Sequence, residues 1–248
     1  MKEEKNMIEV RKLKKHFGGV KAVDSVSIKI PKGKVTAIIG PNGSGKTTLF
    51  NLISGIVKED SGRVLLNGKD ITNEKDSDRS KFGISRTFQH VRLFKDLSIM
   101  DHFIVAKNSD KNLLKKIFSN GKDYTKEIKE TLRLIGLDKD IHTKASDLSY
   151  GQRKLLDIGI GLLKKHEVLL LDEPVAGINP ALRKQIKNLI KELQDKGETI
   201  VIIEHDMEFV MDISDYVICL DAGEIIFEGS AKEAQKSKRV LEAYLGSD

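Results

Sequence analysis

Eight consecutive residues, Gly40-Pro41-Asn42-Gly43-Ser44-Gly45-Lys46-Thr47, carry the spacing G-x-x-x-x-G-K-[ST]. Glycines at these places let successive backbone N–H groups turn inward on one anion, and a helix opening at the loop's end adds its partial positive charge. The lysine then reaches the β- and γ-phosphates of a nucleotide, and the hydroxyl after it ligates Mg²⁺. Lys46 and Thr47 are the candidates for those tasks, with Asn42, Gly43, Ser44, Gly45 and Thr48 beside the phosphates. A glycine turn ahead of an ordinary helix is the plain alternative. Its neighbours speak against it: Val35-Thr36-Ala37-Ile38-Ile39 reads as a buried strand and Thr47 to Ile53 as an amphipathic helix.

Val168 to Leu171 is a second apolar run, and it delivers Asp172 and Glu173 at its end. Ligands of open α/β sheets bind beyond the carboxyl ends of the strands, so acids there are candidates for chemistry. Successive strand residues point to opposite sides, so the two carboxylates are expected to have different tasks. Asp172 suits the Mg²⁺ shell, and Glu173 suits a base that polarises an attacking water. Surface acids at a strand end are the plain alternative, and the phosphate loop in the same chain weighs against it. Leu148-Ser149-Tyr150-Gly151-Gln152 opens a further helix, predicted over 152–164 with Leu155, Ile158, Leu162 and Leu163 inward. Ser149 reads either as an ordinary N-cap, contributing about 1 kcal/mol, or as a second anion site at a helix N-terminus. One nucleotide already has a phosphate loop in its own chain. A second site therefore makes sense when it completes a partner's.

These groups need a scaffold that ends several strands at one place. Ile200-Val201-Ile202-Ile203 is a third buried run, and the stretch Ala181 to Lys196 before it has Leu182, Ile186, Leu189, Ile190 and Leu193 at helical spacing. Pro180 suits the first turn of that helix and Gly197 its stop. Buried strands joined by helices predict an α/β fold with a mostly parallel sheet covered on both faces. Residues 7–34 and 62–71 alternate in short segments with turns between them, which predicts a small antiparallel sheet beside the parallel one. Residues 92–148 have helical periodicity and no convincing strand, and the lysine-rich tract Ser109 to Lys126 is expected to be an exposed connection. With no internal repeat and no low-complexity linker, these parts read as subdomains of one unit.

The chain has 248 residues with 39% hydrophobic and 32% charged, enough to bury a core without staples. Its lone cysteine, Cys219, cannot form an internal disulfide and sits in the apolar run Tyr216 to Leu220, which reads as core in a reducing compartment. That run is far short of the ~20 residues that span a bilayer. Met1 to Lys5 has no apolar segment of signal-peptide type. A soluble, intracellular chain is expected. The net charge of +6 spreads 43 basic residues among 37 acids, and aromatics are only 5%, which favours a solvated surface over a nucleic-acid face.

The phosphate loop, the Leu148–Gln152 segment and the Asp172–Glu173 strand, in this order, resemble an ATP-binding-cassette (ABC) ATPase over essentially the whole chain. The resemblance implies further residues. Phe17, before Gly18-Gly19-Val20-Lys21-Ala22-Val23, matches the aromatic that stacks on adenine. Gln89, in Arg86-Thr87-Phe88-Gln89-His90, matches the glutamine that touches Mg²⁺ and hinges the helical subdomain. His205, in Ile203-Glu204-His205-Asp206, matches the histidine that contacts the γ-phosphate. The implied fold is a P-loop NTPase core with an antiparallel β subdomain and an α-helical signature subdomain. The whole chain, 1–248, then forms one ABC ATPase domain, with core parts at 1–89 and 151–248 and the helical subdomain at 90–150.

The resemblance also implies head-to-tail dimers, in which each ATP lies between one chain's phosphate loop and the other's signature residues, here Ser149, Gly151 and Gln152. The signature reads Leu-Ser-Tyr-Gly-Gln where Leu-Ser-Gly-Gly-Gln is commoner, so Tyr150 adds bulk at its centre. Arg86 to Phe94, the segment Ala176-Gly177-Ile178-Asn179-Pro180 and the tail Val240 to Gly246 look like ATPase subunits of branched-chain amino-acid importers. Urea and short-amide importers share most of these features, and the ATPase of lipopolysaccharide export is a near competitor. Soluble ABC ATPases of DNA repair or translation fit less well: the stretch from Lys46 to Ser149 is too short for a long coiled coil, and there is one cassette. The implied partners are a second ATPase subunit, membrane permeases that dock near Val91 and Phe94, and indirectly a solute-binding protein. The implied place is the inner face of the cell membrane, peripherally bound.

Overall fold

The structure is a computed structural model that describes residues 6–87, 93–107, 124–163 and 165–245. The chain divides into two compact units, Met1–Arg86 with His166–Glu173 and Ile190–Asp248, and Thr87–Lys165 with Pro174–Leu189. The second unit thus takes in residues on both sides of 90–150.

In the first unit, β1 (Asn6–Phe17), β2 (Val20–Pro31), β4 (Ser61–Leu66) and β5 (Lys69–Asp70) form an antiparallel sheet in the order β2-β1-β4-β5. Along β2, Val26, Ile28 and Ile30 are buried while Ser25, Ser27 and Lys29 are exposed, the alternation of a sheet with one wet face. The larger sheet runs β10-β9-β3-β8-β7-β6. Its strands are β3 (Val35–Ile39), β6 (Ile84–Arg86), β7 (Val168–Asp172), β8 (Ile200–Ile203), β9 (Tyr216–Asp221) and β10 (Glu224–Gly229). Every pairing is parallel except β9 with β10. Each residue of β3, β7 and β8 is buried, as expected of strands covered on both sides. A mostly parallel sheet beside a small antiparallel one is the arrangement predicted from the sequence.

The two faces of the large sheet feed separate cores. Ile38, Leu170, Val201 and Ile203 join Leu49, Phe50, Leu52 and Ile53 of α1 (Lys46–Ser54) and the inner face of the antiparallel sheet. On the opposite face Ala37, Ile39, Val217 and Cys219 pack against three short helices. These are α7 (Met207–Ile213), α8 (Ala231–Lys236) and α9 (Lys238–Leu245), which contribute Val210, Ala231, Ala234 and Val240. Cys219 is core, as expected, and burial pushes its thiol up to about 12.

The second unit is helical. It contains α3 (Ile99–Lys107), α4 (Thr125–Leu134), α5 (Tyr150–Leu163) and the segment Pro180–Leu189 of α6 (Pro180–Asp195). Gly159 of α5 lets neighbours close in, since a Cβ there would lie 2.8 Å from Ile135 and 3.4 Å from the Phe103 ring. Gln185 of α6 donates from Nε2 to the Ile135 and Gly136 carbonyls at 2.7 and 3.0 Å, which satisfies the end of α4. Two sequence expectations change here. The signature helix starts at Tyr150 rather than Gln152, and Leu162 and Leu163, in its last turn, are half-buried rather than core. Most of the tract Ser109 to Lys126 lies outside the described residues, and from Thr125 it is helix. No described helix is long and apolar enough to cross a membrane.

Helix α1 is held at its far end by Arg79 of α2 (Asp76–Lys81), which is 1% exposed. Its Nη1 donates to the Leu52 and Ile53 carbonyls at 2.5 and 2.9 Å, Nε to Glu74 O at 2.9 Å and Nη2 to Thr72 O at 2.7 Å. A cation on the last carbonyls of a helix complements both their lone pairs and the macrodipole. Arg79→Met takes the arginine donors from both buried carbonyls and leaves Leu52 O only the Gly55 N–H at 3.3 Å, so it should cost about 3 kcal/mol. Urea unfolding checks this: the midpoint should fall with an unchanged slope.

Candidate functional site

Strands β3, β7 and β8 run in the same direction, with Ile38 opposite Ile203 and Ile203 opposite Asp172. Their carboxyl ends therefore lie side by side. From these ends the chain enters the phosphate loop, the two acids and the segment Glu204–His205.

The loop is shaped by glycines where no other residue fits. Gly40 (φ 146°) passes so near β9 that a Cβ would lie 2.1 Å from the Leu220 carbonyl oxygen. Gly45 (φ 102°) would meet the Ala22 carbonyl oxygen at 2.1 Å. Gly40 N–H donates to the Tyr244 phenol oxygen at 2.8 Å, and Lys46 Nζ donates to the Gly40 and Pro41 carbonyls at 2.7 and 2.8 Å. Lys46 is 8% exposed, and burial lowers its pKa against the opposing pull of Glu173 and Cys219. Three features fit an anion. α1 begins without a side-chain cap, so its first N–H groups have no intrahelical acceptor. Gly43 has no atom near its Cβ direction, and the buried Ser44 Oγ has no hydrogen-bond partner among the described residues.

The two acids diverge as strand geometry requires. Asp172, 4% exposed, accepts a 2.9 Å hydrogen bond from Arg86 Nη2 on β6. Arg86 Nη1 donates to Asn51 Oδ1 at 2.8 Å and Ser54 Oγ at 2.7 Å, and the guanidinium lies 4.9 Å from the centre of the Phe50 ring. One guanidinium thus ties α1 to β7. Glu173 has φ 47°, a left-handed conformation that costs a non-glycine residue on the order of 1–3 kcal/mol. Its N–H still donates to Ile203 O at 3.0 Å, and its Oε1 lies 3.7 Å from Nδ1 of the exposed His205. At that spacing one water can bridge the pair. Among the described residues no group of three or more His, Cys, Asp or Glu is arranged for a metal. A Mg²⁺ here would depend on a hydroxyl, one or two carboxylates and phosphate oxygens, a donor set that this ion accepts.

In the second unit, Ser149 and Gln152 form a reciprocal capping box. Gln152 N–H donates to Ser149 Oγ at 3.3 Å and Ser149 N–H to Gln152 Oε1 at 2.9 Å. Gly151 faces Leu182, whose Cδ2 would lie 2.2 Å from an added Cβ, so glycine there allows α5 and α6 to approach closely. Tyr150 is 42% exposed with Lys154 Nζ 5.6 Å from its ring centre, so its bulk points outward. Phe94 is 63% exposed, with its ring centre 6.3 Å from that of His102, so most of its apolar surface faces outward. Its N–H donates to His102 Nε2 at 3.0 Å, while His102 Nδ1 lies 2.8 Å from Ser98 O, so the ring carries its proton on Nδ1.

The first unit thus brings together Asn42 to Thr48, Asp172, Glu173 and His205. Phe17, at the end of β1, is half exposed with Lys15 Nζ 5.4 Å from its ring centre. Gln89 and Val91 lie outside the described residues. Reasoning from motifs passed over Arg86 and Tyr244. Arg86 lies at the start of the segment Arg86 to Phe94, but an arginine that ends a three-residue strand has no spacing signal of its own.

A profile of the ABC transporter family matches residues 23–176. A probable branched-chain amino acid transport ATP-binding protein, LivG, of Methanocaldococcus jannaschii is 37% identical over 99% of this chain and its own full length. An ATP-binding cassette of an ABC transporter solved in its ADP conformation is 36% identical. It superposes with a TM-score of 0.84 over 97% of this chain and 99% of its own. The cbiO1 protein of Clostridium perfringens, part of the ABC transporter complex cbiONQ, is 31% identical with a TM-score of 0.78, over 96% and 94% of the two chains.

The buried pair Arg86–Asp172 generates an energetic expectation. Arg86→Met leaves a carboxylate in the core without its cation, which costs about 3–5 kcal/mol. Adding Asp172→Leu removes the stranded charge and should recover most of that loss. Denaturant melts of the two variants measure both values. A loss below ~1 kcal/mol in the single variant would mean that the pair contributes little beyond its neighbours.

Proposed function

Because the chain belongs to the ABC transporter family and is an ABC ATPase, we propose that it powers the import of branched-chain or other hydrophobic amino acids. In this reading it works as the ATP-binding subunit on the inner face of the membrane. Two ATPase subunits, alike or paired with a similar partner, close head to tail on ATP and reopen after hydrolysis. Permease subunits turn that cycle into alternating access, and a solute-binding protein delivers the solute to them. The near full-length similarity to a LivG protein supports the solute class. The exposed Phe94 supports a docking face for the permease in its neighbourhood.

The single observation behind the catalytic reading is the shared strand end, where Lys46, Asp172, Glu173 and His205 converge. Lys46 exchanges its bonds to the Gly40 and Pro41 carbonyls for the β- and γ-phosphates, joined by the N–H groups of Gly43 and of Gly45 to Thr48, while Ser44 N–H stays on the Pro41 carbonyl at 3.2 Å. Phe17 stacks on the adenine. Thr47, Asp172 and Gln89 would hold Mg²⁺, which would supply neutralisation of the phosphate charge. Arg86 keeps Asp172 anchored to the helix that carries Thr47. Glu173 takes up the attacking water as general base, and His205, within one water of it, donates toward the γ-phosphate. Ser149, Gly151 and Gln152 of one subunit face the nucleotide of the other, where Ser149 exchanges part of its own cap for a phosphate oxygen.

Glu173→Gln should bind Mg-ATP as the wild type does, yet hydrolyse it at least about a hundredfold more slowly. Size-exclusion chromatography with ATP should then show a species of twice the mass. Turnover at the normal rate would remove Glu173 from the role of base. Lys46→Ala should abolish ATP binding, whereas Phe17→Ala should weaken it only by the 1–3 kcal/mol of a base–aromatic stack, roughly five- to a hundredfold. Calorimetric titration distinguishes them, and a Phe17→Ala affinity equal to wild type rejects the stacking role.

A further inference from the structure

The C-terminal tail stood out in the sequence, and nothing in the reaction so far uses it. Its helix α9 lies on the core beneath the phosphate loop. Val240 is 1% exposed, and Tyr244, one turn further on, packs with the cluster of Ile39, Val217 and Cys219. That packing needs only a ring. The phenol oxygen does something else: it accepts the N–H of Gly40, the first residue of the loop, at 2.8 Å across 204 positions of sequence. We infer that Tyr244 is a positioning residue for the phosphate loop, and that its hydroxyl thereby raises the affinity for the nucleotide phosphates.

Gly40 explains why such an anchor is needed. Its φ of 146° and the 2.1 Å approach of any Cβ to the Leu220 carbonyl admit only glycine. Glycine is also the residue with the widest choice of other conformations, so the loop's entry must be held from outside. Among the described residues two side chains hold it: Lys46 on the carbonyl and Tyr244 on the N–H. Lys46 gives up its bond when it turns to a phosphate, which leaves Tyr244 as the side chain keeping Gly40 in place while the nucleotide is bound. Burial pushes the phenol up to about 12, so it remains protonated throughout the physiological range. The inference rests on the reading that this loop binds nucleotide.

Tyr244→Phe in the full chain keeps the ring and removes only the hydroxyl. Calorimetric titration should show ATP and ADP bound about three- to tenfold more weakly, the effect of one net hydrogen bond. Val240→Ala is the comparison: it loosens the same helix without touching the loop, so it should lower the melting temperature and leave nucleotide affinity unchanged. Wild-type affinity in Tyr244→Phe overturns the inference. So does an affinity loss in Val240→Ala equal to that in Tyr244→Phe, because the helix would then act through stability alone. Lys46→Ala separates the premise from the inference. If that variant binds ATP normally, the phosphate-loop reading has failed, whatever Tyr244 does.

Discussion

A strand buried on both faces has nowhere to place a polar side chain except at its ends. β3, β7 and β8 are such strands, apolar throughout but for Thr36 and the terminal Asp172. Because they are paired in parallel, their carboxyl ends fall on one edge, and the hydrogen-bond register sets which residues emerge together. The phosphate loop, the acids and His205 meet for that reason. A shift of one residue in β7 would turn Asp172 and Glu173 to each other's sides.

Strand alternation separates the two acids, and the environments then differ by more than direction. Asp172 is enclosed, with a guanidinium on its Oδ2. The same guanidinium reaches two side chains of α1, so the helix that opens at Lys46 and the strand that ends at Asp172 behave as one rigid piece. Glu173 is only partly enclosed and is turned out of the strand by a left-handed residue, toward the exposed His205. An anchored carboxylate beside a mobile-facing one suits a site where one acid must stay put and the other must meet water. Removing either partner of a buried ion pair is costly, whereas exposed pairs contribute little, so the energy of the site is concentrated at Asp172.

The phosphate loop takes conformations that glycine alone adopts freely, and side chains hold it from outside. Gly40 and Gly45 sit against backbone carbonyls that no Cβ could pass. Arg79 holds the far end of α1 through two of its carbonyls and ties it to two more, of Thr72 and Glu74, and Tyr244 and Lys46 hold the near end of the loop. Arg79 and Tyr244 come from elements distant in sequence, so folding of the surrounding sheets and the shape of the loop are the same event.

Local pattern was enough to read much of this. The phosphate loop is eight adjacent residues, Asp172 and Glu173 close an unbroken apolar run, and the three buried strands and the helix after Pro180 follow from period and punctuation. Family resemblance, not periodicity, pointed to Phe17, Gln89 and His205. The strand order β10-β9-β3-β8-β7-β6, the Arg86–Asp172 pair and the Tyr244–Gly40 bond had no local signature. Each joins groups 86 to 204 positions apart or depends on which strand lies beside which. Periodicity says which face of an element is buried, because that depends on neighbours three or four residues away. It says nothing of what the buried face meets, since that depends on packing among all the elements at once, and only the tertiary structure decides it.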